Sequence, residues 1–334
     1  DVCSSDLKNI AIVCGGFSGE YDISIQSAQM VKENLDSKKY NSYIIFIEKG
    51  EWYHKDEIGS IFPINRKDFS FNNGEFDIYF DGVFNAIHGE PGEDGKLLGY
   101  FDMLNIPYTS SSADVSALTF NKYLCNKFID SIGVNTARSI SFTNSEQYSI
   151  QEIIEILGLP LFVKPACSGS SVGVSKVKTA DELNESIIHA FKSGDRIIIE
   201  EFIEGREIDC GLYRHNNELI ILPLTEIKSE NEFFDYEAKY TAGKAYEITP
   251  PENLDFNHEI ELKATSSLIY NKLGCKGIVR IDFILAKTGL YFIEINTVPG
   301  MSEASIVPKQ AKAMGINISD LFGLCVENMF ENSI

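Results

Sequence analysis

Apolar positions recur along this chain with two different periods, and the alternation between them predicts its elements. Short apolar runs at Asn9-Ile-Ala-Ile-Val-Cys14, Tyr43-Ile-Ile-Phe-Ile47 and Gly82-Val-Phe-Asn-Ala-Ile87 read as strands. A helical pattern at about 22–36 separates the first two. Strand–helix alternation implies a parallel sheet with ligands at the carboxyl ends of its strands. Glu20 and His88 each stand just past such an end. The stretch around Ile61–Phe76 is polar and aromatic without a clear period, and reads as a surface insertion.

A second unit begins near Ser110. Residues 114–132 predict one helix, with apolar positions at Val115, Leu118, Cys125, Phe128, Ile129 and Ile132 and Gly133 as its stop. Pro160–Pro165 is a strand, Thr179-Ala-Asp-Glu182 is a capping box opening a helix through Phe191, and Arg196–Phe202 is the next strand. The remainder is mainly sheet. Strands at about 207–214 and 218–224 flank His215-Asn-Asn217, a polar segment covers 228–243, and helices are expected at about 256–273 and 318–330. The fold class is α/β, turning to α+β in the C-terminal part. No apolar run approaches the roughly 18–20 residues needed to span a bilayer.

The most informative stretch is a hairpin, Gly277–Gly300. Period two puts Arg280 and Asp282 on one face of its first strand, and Glu294 and Asn296 on one face of its second. A turn centred on Thr288, with Gly289 free to take φ > 0, pairs Asp282 with Glu294 and Arg280 with Asn296. Carboxylates directly opposite each other repel, and a divalent cation between them removes the repulsion. Hard oxygen donors without His or Cys suit Mg²⁺ or Mn²⁺ and not zinc. The Ser- and Gly-rich run Lys164-Pro-Ala-Cys-Ser-Gly-Ser-Ser-Val-Gly-Val-Ser-Lys176 follows a strand and can turn N–H groups and hydroxyls toward phosphate oxygens. It lacks the GK[ST] ending of a Walker A loop. Glu200 and Glu201 end an Ile-Ile-Ile strand, with Glu207 close behind, and offer acceptors for ribose hydroxyls and an adenine amino group.

Bulk properties narrow the partners. The chain has 334 residues, enough for two or three domains with shared cores. Its formal net charge of −20 argues against nucleic acid or anionic membranes as general partners. It does not argue against a nucleotide, which local cations and a metal can hold. Seven cysteines without a CxxC pair read as reduced thiols in a cytoplasmic protein. Asp1-Val-Cys-Ser-Ser-Asp-Leu7 precedes the first strand and reads as a non-native tail, a natural disordered tail being the alternative.

Phosphate loop, acidic second strand and Arg-x-Asp…Glu-x-Asn hairpin, in that order, resemble the ATP-grasp superfamily. Gly15-Gly-Phe-Ser-Gly-Glu20, His88-Gly-Glu-Pro-Gly-Glu-Asp-Gly95, Lys164-Pro165 with Gly169-Ser-Ser-Val-Gly173, Asp235-Tyr-Glu-Ala-Lys-Tyr240, Arg280-Ile-Asp282 and Glu294-Ile-Asn-Thr-Val-Pro-Gly-Met301 resemble the signatures of D-alanine–D-alanine ligases. The resemblance runs from Lys8 to the end. It implies an ATP-grasp fold behind an N-terminal parallel α/β domain of pre-ATP-grasp type. The units would be 8–110, 111–202 and 203–334, with a mobile lid at 228–246.

It also implies the chemistry, ATP-dependent ligation of two D-alanine molecules through a D-alanyl phosphate for peptidoglycan precursor synthesis. The family's metal ligands fall on Asp282, Glu294 and Asn296. Its ATP-binding positions fall on Lys122, Lys164, Gly169, Ser171, Glu200, Glu207 and Lys239. Glu20 would hold the first ammonium, with Ser170 and Tyr240 bonded to it across the site. His88 would help place that substrate, Arg280 and the backbone at Gly300 would meet the oxyanion, and Ser305 would bind the second carboxylate. A homodimer is implied as well. A D-serine or D-lactate acceptor, another carboxylate substrate, and a non-catalytic nucleotide sensor are the alternatives.

Overall fold

Strand β1 (Lys8–Gly15) pairs in parallel with both β2 (Tyr40–Ile47) and β7 (Gly82–Asn85), as alternation with helices requires. In the computed structural model, which describes residues 7–169, 172–229 and 245–331, three large sheets carry the fold. The expected tail lies, but for Leu7, outside those residues.

The first sheet has the order β4-β3-β2-β1-β7, and its outer part is not parallel. β3 (Trp52–Lys55) and β4 (Ile61–Pro63) join antiparallel, because a short turn leads directly from β2 to β3 with no crossover helix. The segment expected to be a surface insertion is partly core. Two small strands, β5 (Phe71–Asn72) and β6 (Asp77–Ile78), pair there, and Phe69, Phe71, Ile78 and Phe80 are buried. The rings of Phe69, Phe71 and Phe80 pack edge-on or tilted against Tyr43, His54, Trp52 and Phe101. Strands of two residues are too short to print a period, so burial here follows aromatic contacts instead.

The helix expected over 114–132 is two helices, Ala113–Phe120 and Lys122–Ser131. Asn121 between them is extended, and its side chain accepts the Leu124 N–H at 3.1 Å as an N-cap. The break starts the second helix at Lys122, whose N–H donates to Ala166 O at 2.9 Å.

The second sheet is antiparallel throughout, in the order β10-β9-β11-β8, from β8 (Ser139–Thr143), β9 (Leu161–Pro165), β10 (Ser175–Val177) and β11 (Arg196–Glu201). The helix Ala180–Phe191 opens as the capping box predicts, with the Glu182 carboxylate accepting the Thr179 N–H at 3.3 Å. Leu183 and Ile187 pack on Leu161, Val163, Ile197 and Ile199.

The third sheet contains β12 (Gly205–His215), β13 (Glu218–Ile221), β14 (Thr225–Ser229), β15 (Ala245–Ile248), β16 (Val279–Ala286) and β17 (Gly289–Asn296). Asn216 and Asn217 both take positive φ in the β12–β13 turn, as a two-residue hairpin loop demands. The helices Phe256–Leu273 and Ile318–Glu331 lie where expected. The last helix returns to the first sheet, so Phe322, Val326 and Met329 share a core with Ile12 and Phe84, as do Tyr213 and Met301 of the third unit. That shared core fixes the carboxyl ends of β1 and β7 opposite the end of β17. Among the described residues no helix is long and apolar enough to cross a membrane. The six described cysteines are free thiols.

Candidate active site

The β16–β17 hairpin has the expected register at its chemical end and a different one at its turn. Asp282 faces Glu294 and Arg280 faces Asn296. At the turn, however, Ala286 pairs with Gly289, so the loop is Lys287-Thr288 and pairing from there would set Asp282 against Ile293. A β-bulge restores the register, leaving Ile293 without a ladder partner. Phe292 and Ile295 both pack in the core while bordering a cavity each, and the adjacent Ile293 and Glu294 both line the two cavities on the other face.

Charge is concentrated on that face. Arg280 donates from Nε to Asp282 Oδ1 and from a terminal nitrogen to Asp282 Oδ2, both at 2.7 Å. Its Nε also lies 3.4 Å from Asp209 Oδ2, and Asp209 faces Asp282 from β12. Burial opposes the charge on Arg280, but Asp282, Asp209 and Glu294 outweigh it, and its pKa rises well above the usual arginine value. Asn296 Nδ2 donates to Asp282 Oδ2 at 3.1 Å. Lys122 Nζ meets Glu294 Oε2 at 2.8 Å; there too burial opposes the charge, and Glu294 with Glu200 raises the lysine pKa nonetheless. Two carboxylates and an amide thus stand together on one sheet face. Among the described residues no group of three or more His, Cys, Asp or Glu side chains is placed to hold a metal ion by itself. An open set of one or two carboxylates with an amide oxygen suits a hard divalent cation that completes its shell with phosphate oxygens, so the residues fit Mg²⁺ or Mn²⁺.

Two cavities adjoin at this face. The larger, about 1030 Å³, lies between the second and third sheets. Lys164 and Glu200 close part of its wall through a 2.6 Å ion pair, and Asn126 Nδ2 donates to Glu200 Oε1 at 2.9 Å. Phe162, Phe202 and Phe292 give it apolar surfaces. Glu201, next to Glu200, pairs with Arg138 at 2.6 Å. Lys122, Glu207 and Glu294 line both cavities.

The smaller cavity, about 310 Å³, lies between the loops of the first sheet and the end of β17. Glu20 opens the helix Tyr21–Asn34, and its N–H donates to Ser18 Oγ at 3.2 Å. Ser18 Oγ donates in turn to His88 O at 2.7 Å, tying together the two loops past β1 and β7. Gly169 approaches so closely that a Cβ there would sit 2.8 Å from Glu20 Oε2. His88 is buried and has protein partners at both ring nitrogens, Val298 O at 2.8 Å and Ser27 Oγ at 3.0 Å. Burial lowers its pKa against the opposing pull of Glu20. Gly300 passes the Ser305 hydroxyl, where a Cβ would come within 2.6 Å. Ser305 precedes the helix Ile306–Ala313, and its hydroxyl meets that of Ser302 at 2.8 Å.

The structure therefore gathers Glu20, His88, Lys122, Gly169, Glu207, Arg280, Asp282, Glu294, Asn296, Gly300 and Ser305 around one cavity, and lines the neighbouring one with Lys164 and Glu200. Ser170, Ser171, Lys239, Tyr240 and nearly all of the expected lid at 228–246 lie outside the described residues. Asp209, Glu93 and Ser27 belong to the site and were not expected. Asp209 had a signal in its alternation on the strand at 207–214, but the pairing of that strand with β16 is not local.

Residues 9–111 match the family described as D-ala D-ala ligase N-terminus, and residues 128–327 the one described as D-ala D-ala ligase C-terminus. A D-alanine–D-alanine ligase of Flavobacterium johnsoniae is 45% identical over 324 residues, covering 96% of this chain and 99% of the relative. The D-alanyl-alanine synthetase A of Vibrio cholerae superposes with a TM-score of 0.88 at 28% identity, covering 98% of this chain and 99% of that one. The VanG D-Ala:D-Ser ligase of Enterococcus faecalis does so at 0.86 and 33% identity, covering 97% and 99%. With an ATP-grasp fold and matches spanning both halves, the chain belongs to the D-alanine–D-alanine ligase family.

Proposed function

We propose that this chain joins two D-alanine molecules to D-alanyl-D-alanine, converting ATP to ADP and phosphate, as a step in peptidoglycan precursor synthesis. The observation that carries the proposal is the junction of the two cavities at Lys122, Glu207 and Glu294, with Arg280 beside it and Glu20 on the opposite wall. A nucleotide in the large cavity would present its γ-phosphate at this junction to a small carboxylate held in the other.

In the first step a carboxylate oxygen of D-alanine attacks the γ-phosphorus, the bond to ADP breaks, and D-alanyl phosphate forms. Glu20 holds the ammonium of that D-alanine by a charge-assisted hydrogen bond. Lys122 and Lys164 neutralise phosphate charge, and Glu207 accepts from the ribose. Asp282, Glu294 and Asn296 would hold Mg²⁺ or Mn²⁺, which screens the charge of the phosphates when bound. In the second step the amine of the other D-alanine attacks the acyl carbon and loses a proton. The carbonyl oxygen becomes an oxyanion, and the C–O bond to phosphate then breaks. Arg280 and the Gly300 N–H stabilise that oxyanion, a task that rewards donors fixed in advance. The Ser305 hydroxyl donates to the carboxylate of the second substrate at a helix start.

D-Serine is the second reading for the acceptor, favoured by the likeness to a D-Ala:D-Ser ligase. Phosphate release from ATP with Mg²⁺, measured with D-alanine alone and with D-serine or D-lactate added, tests both. Dipeptide from D-alanine alone is expected. Product only with an added second substrate would move the acceptor assignment, and no product with any of them would overturn the ligase reading.

A further inference from the structure

Behind the small cavity a chain of polar groups joins two segments that lie 205 residues apart. Glu93 accepts the Gly89 N–H on Oε2 at 2.7 Å and the Val298 N–H on Oε1 at 3.1 Å. The carbonyl of the same Val298 receives His88 Nδ1 at 2.8 Å. A carbonyl can only accept, so Nδ1 carries the proton. The neutral ring, favoured by burial, then accepts at Nε2 from the Ser27 hydroxyl at 3.0 Å. Ser27 Oγ in turn accepts the Met301 N–H at 3.2 Å. Val298 is thereby held through both of its peptide groups, and Met301 through its N–H. Gly300 lies between these two fixed points.

We propose that Glu93 is a positioning residue for the ligation. It fastens the Val298–Met301 segment to the loop past β7 and so sets where the Gly300 N–H stands relative to Arg280. His88 is part of the same clasp, acting as a neutral strut between Val298 O and Ser27. The carboxylate suits the task because it meets one backbone N–H at each of its two oxygens, whereas an amide would turn its NH₂ toward one of them. Burial and the site's other acids disfavour the charged form of Glu93, and its two backbone bonds favour it. The dry surroundings of its carboxyl, with Glu20 and Glu294 adding to them against the two backbone bonds, push its pKa up to about 7. The clasp deepens the ligase reading given above and rests on it.

The test uses the full chain and three variants, Glu93→Gln, Glu93→Asp and Ser27→Ala, with ATP, Mg²⁺ and D-alanine. Glu93→Gln keeps the shape but leaves one of the two N–H groups facing a donor, and Glu93→Asp cannot span both. Each is expected to lower kcat by about 10- to 100-fold, since misplacing a catalytic donor by a fraction of an ångström to an ångström costs on that order. The KM for ATP should stay within about twofold, because the clasp does not touch the large cavity. Ser27→Ala, which cuts the other anchor, is expected to lower kcat less. A folded Glu93→Gln variant with an unchanged kcat would overturn the proposal. So would equal losses in kcat and in ATP affinity, the mark of a general fold defect. If the Glu93 variants do not fold, Ser27→Ala decides by the same split. A natural chain that makes no dipeptide defeats the ligase reading itself. An active natural chain with an unaffected Glu93→Gln defeats only the clasp.

Discussion

The two cavities are built with different kinds of bond. In the large one the charged groups pair with one another, as in Lys164 with Glu200 and Arg206 with Glu226, and Lys122 with Glu294 does so where the two cavities join. In the small one the polar groups behind the wall are fixed to backbone, as Glu93, His88 and Ser27 are to Gly89, Val298 and Met301. Side-chain ion pairs can exchange partners when a polyanion and its cation arrive, so a lysine released from a glutamate keeps its charge satisfied. Backbone-anchored groups have no such freedom. The first arrangement suits binding of a charged nucleotide, and the second suits a transition state that needs its donors already in place. Arg280 is the exception in the small cavity, a charged group held by two bonds to Asp282 and a longer contact to Asp209.

Variants should separate the two arrangements. The largest effect is expected at Arg280. Arg280→Lys keeps a cation but loses the fork that meets Asp282, and kcat should fall by about 10²- to 10³-fold with little change in the KM for ATP. Next comes Glu20→Gln, which weakens a charge-assisted bond. It should lower kcat/KM for D-alanine by roughly 10- to 100-fold at saturating ATP, measured by phosphate release. Lys122→Met should act the other way, raising the KM for ATP by about 10-fold while changing kcat less. A Lys122→Met variant that lowered kcat alone would erase the contrast between the cavities.

The smallest effect is a dependence of stability on pH. Glu93 has its folded pKa raised from 4.5 to about 7, so its contribution is full below pH 4.5 and is lost as the pH rises through 7. Glu93→Gln removes that dependence. Unfolding free energies of the two chains, from urea titration, should therefore converge, or reverse in favour of the variant, between pH 5 and 8, by up to about 3 kcal/mol. His88 has the opposite sign. Its folded pKa is lowered from 6.5, so its contribution is present above that pH and is lost on acidification below it.

Much of the site is legible in the sequence because its chemistry sits on local patterns. Arg280, Asp282, Glu294 and Asn296 share a face by strand period alone, and that pairing holds. It holds, however, through a bulge at Ile293 that offsets a turn one residue tighter than expected, and nothing in the alternation marks that bulge. The break at Asn121 is hidden for a related reason. Apolar positions continue in near-helical spacing on both sides, and only the capping bond of Asn121 distinguishes two helices from one. The aromatic segment after Ile61 has too little strand for a period, so its burial emerges only when Tyr43, Trp52 and Phe101 are brought beside it. Asp209 and the Glu93–His88–Ser27 clasp depend on contacts between segments far apart in the chain. Polar residues of that kind look like surface until the partner segment arrives.

The most direct test of the acyl phosphate route is the fate of the carboxylate oxygen. D-Alanine labelled with ¹⁸O in both carboxylate positions should give D-alanyl-D-alanine and inorganic phosphate carrying one ¹⁸O per turnover, read by mass spectrometry of the phosphate. Dipeptide formed together with unlabelled phosphate would contradict that route, and phosphate release without dipeptide would contradict the ligase assignment.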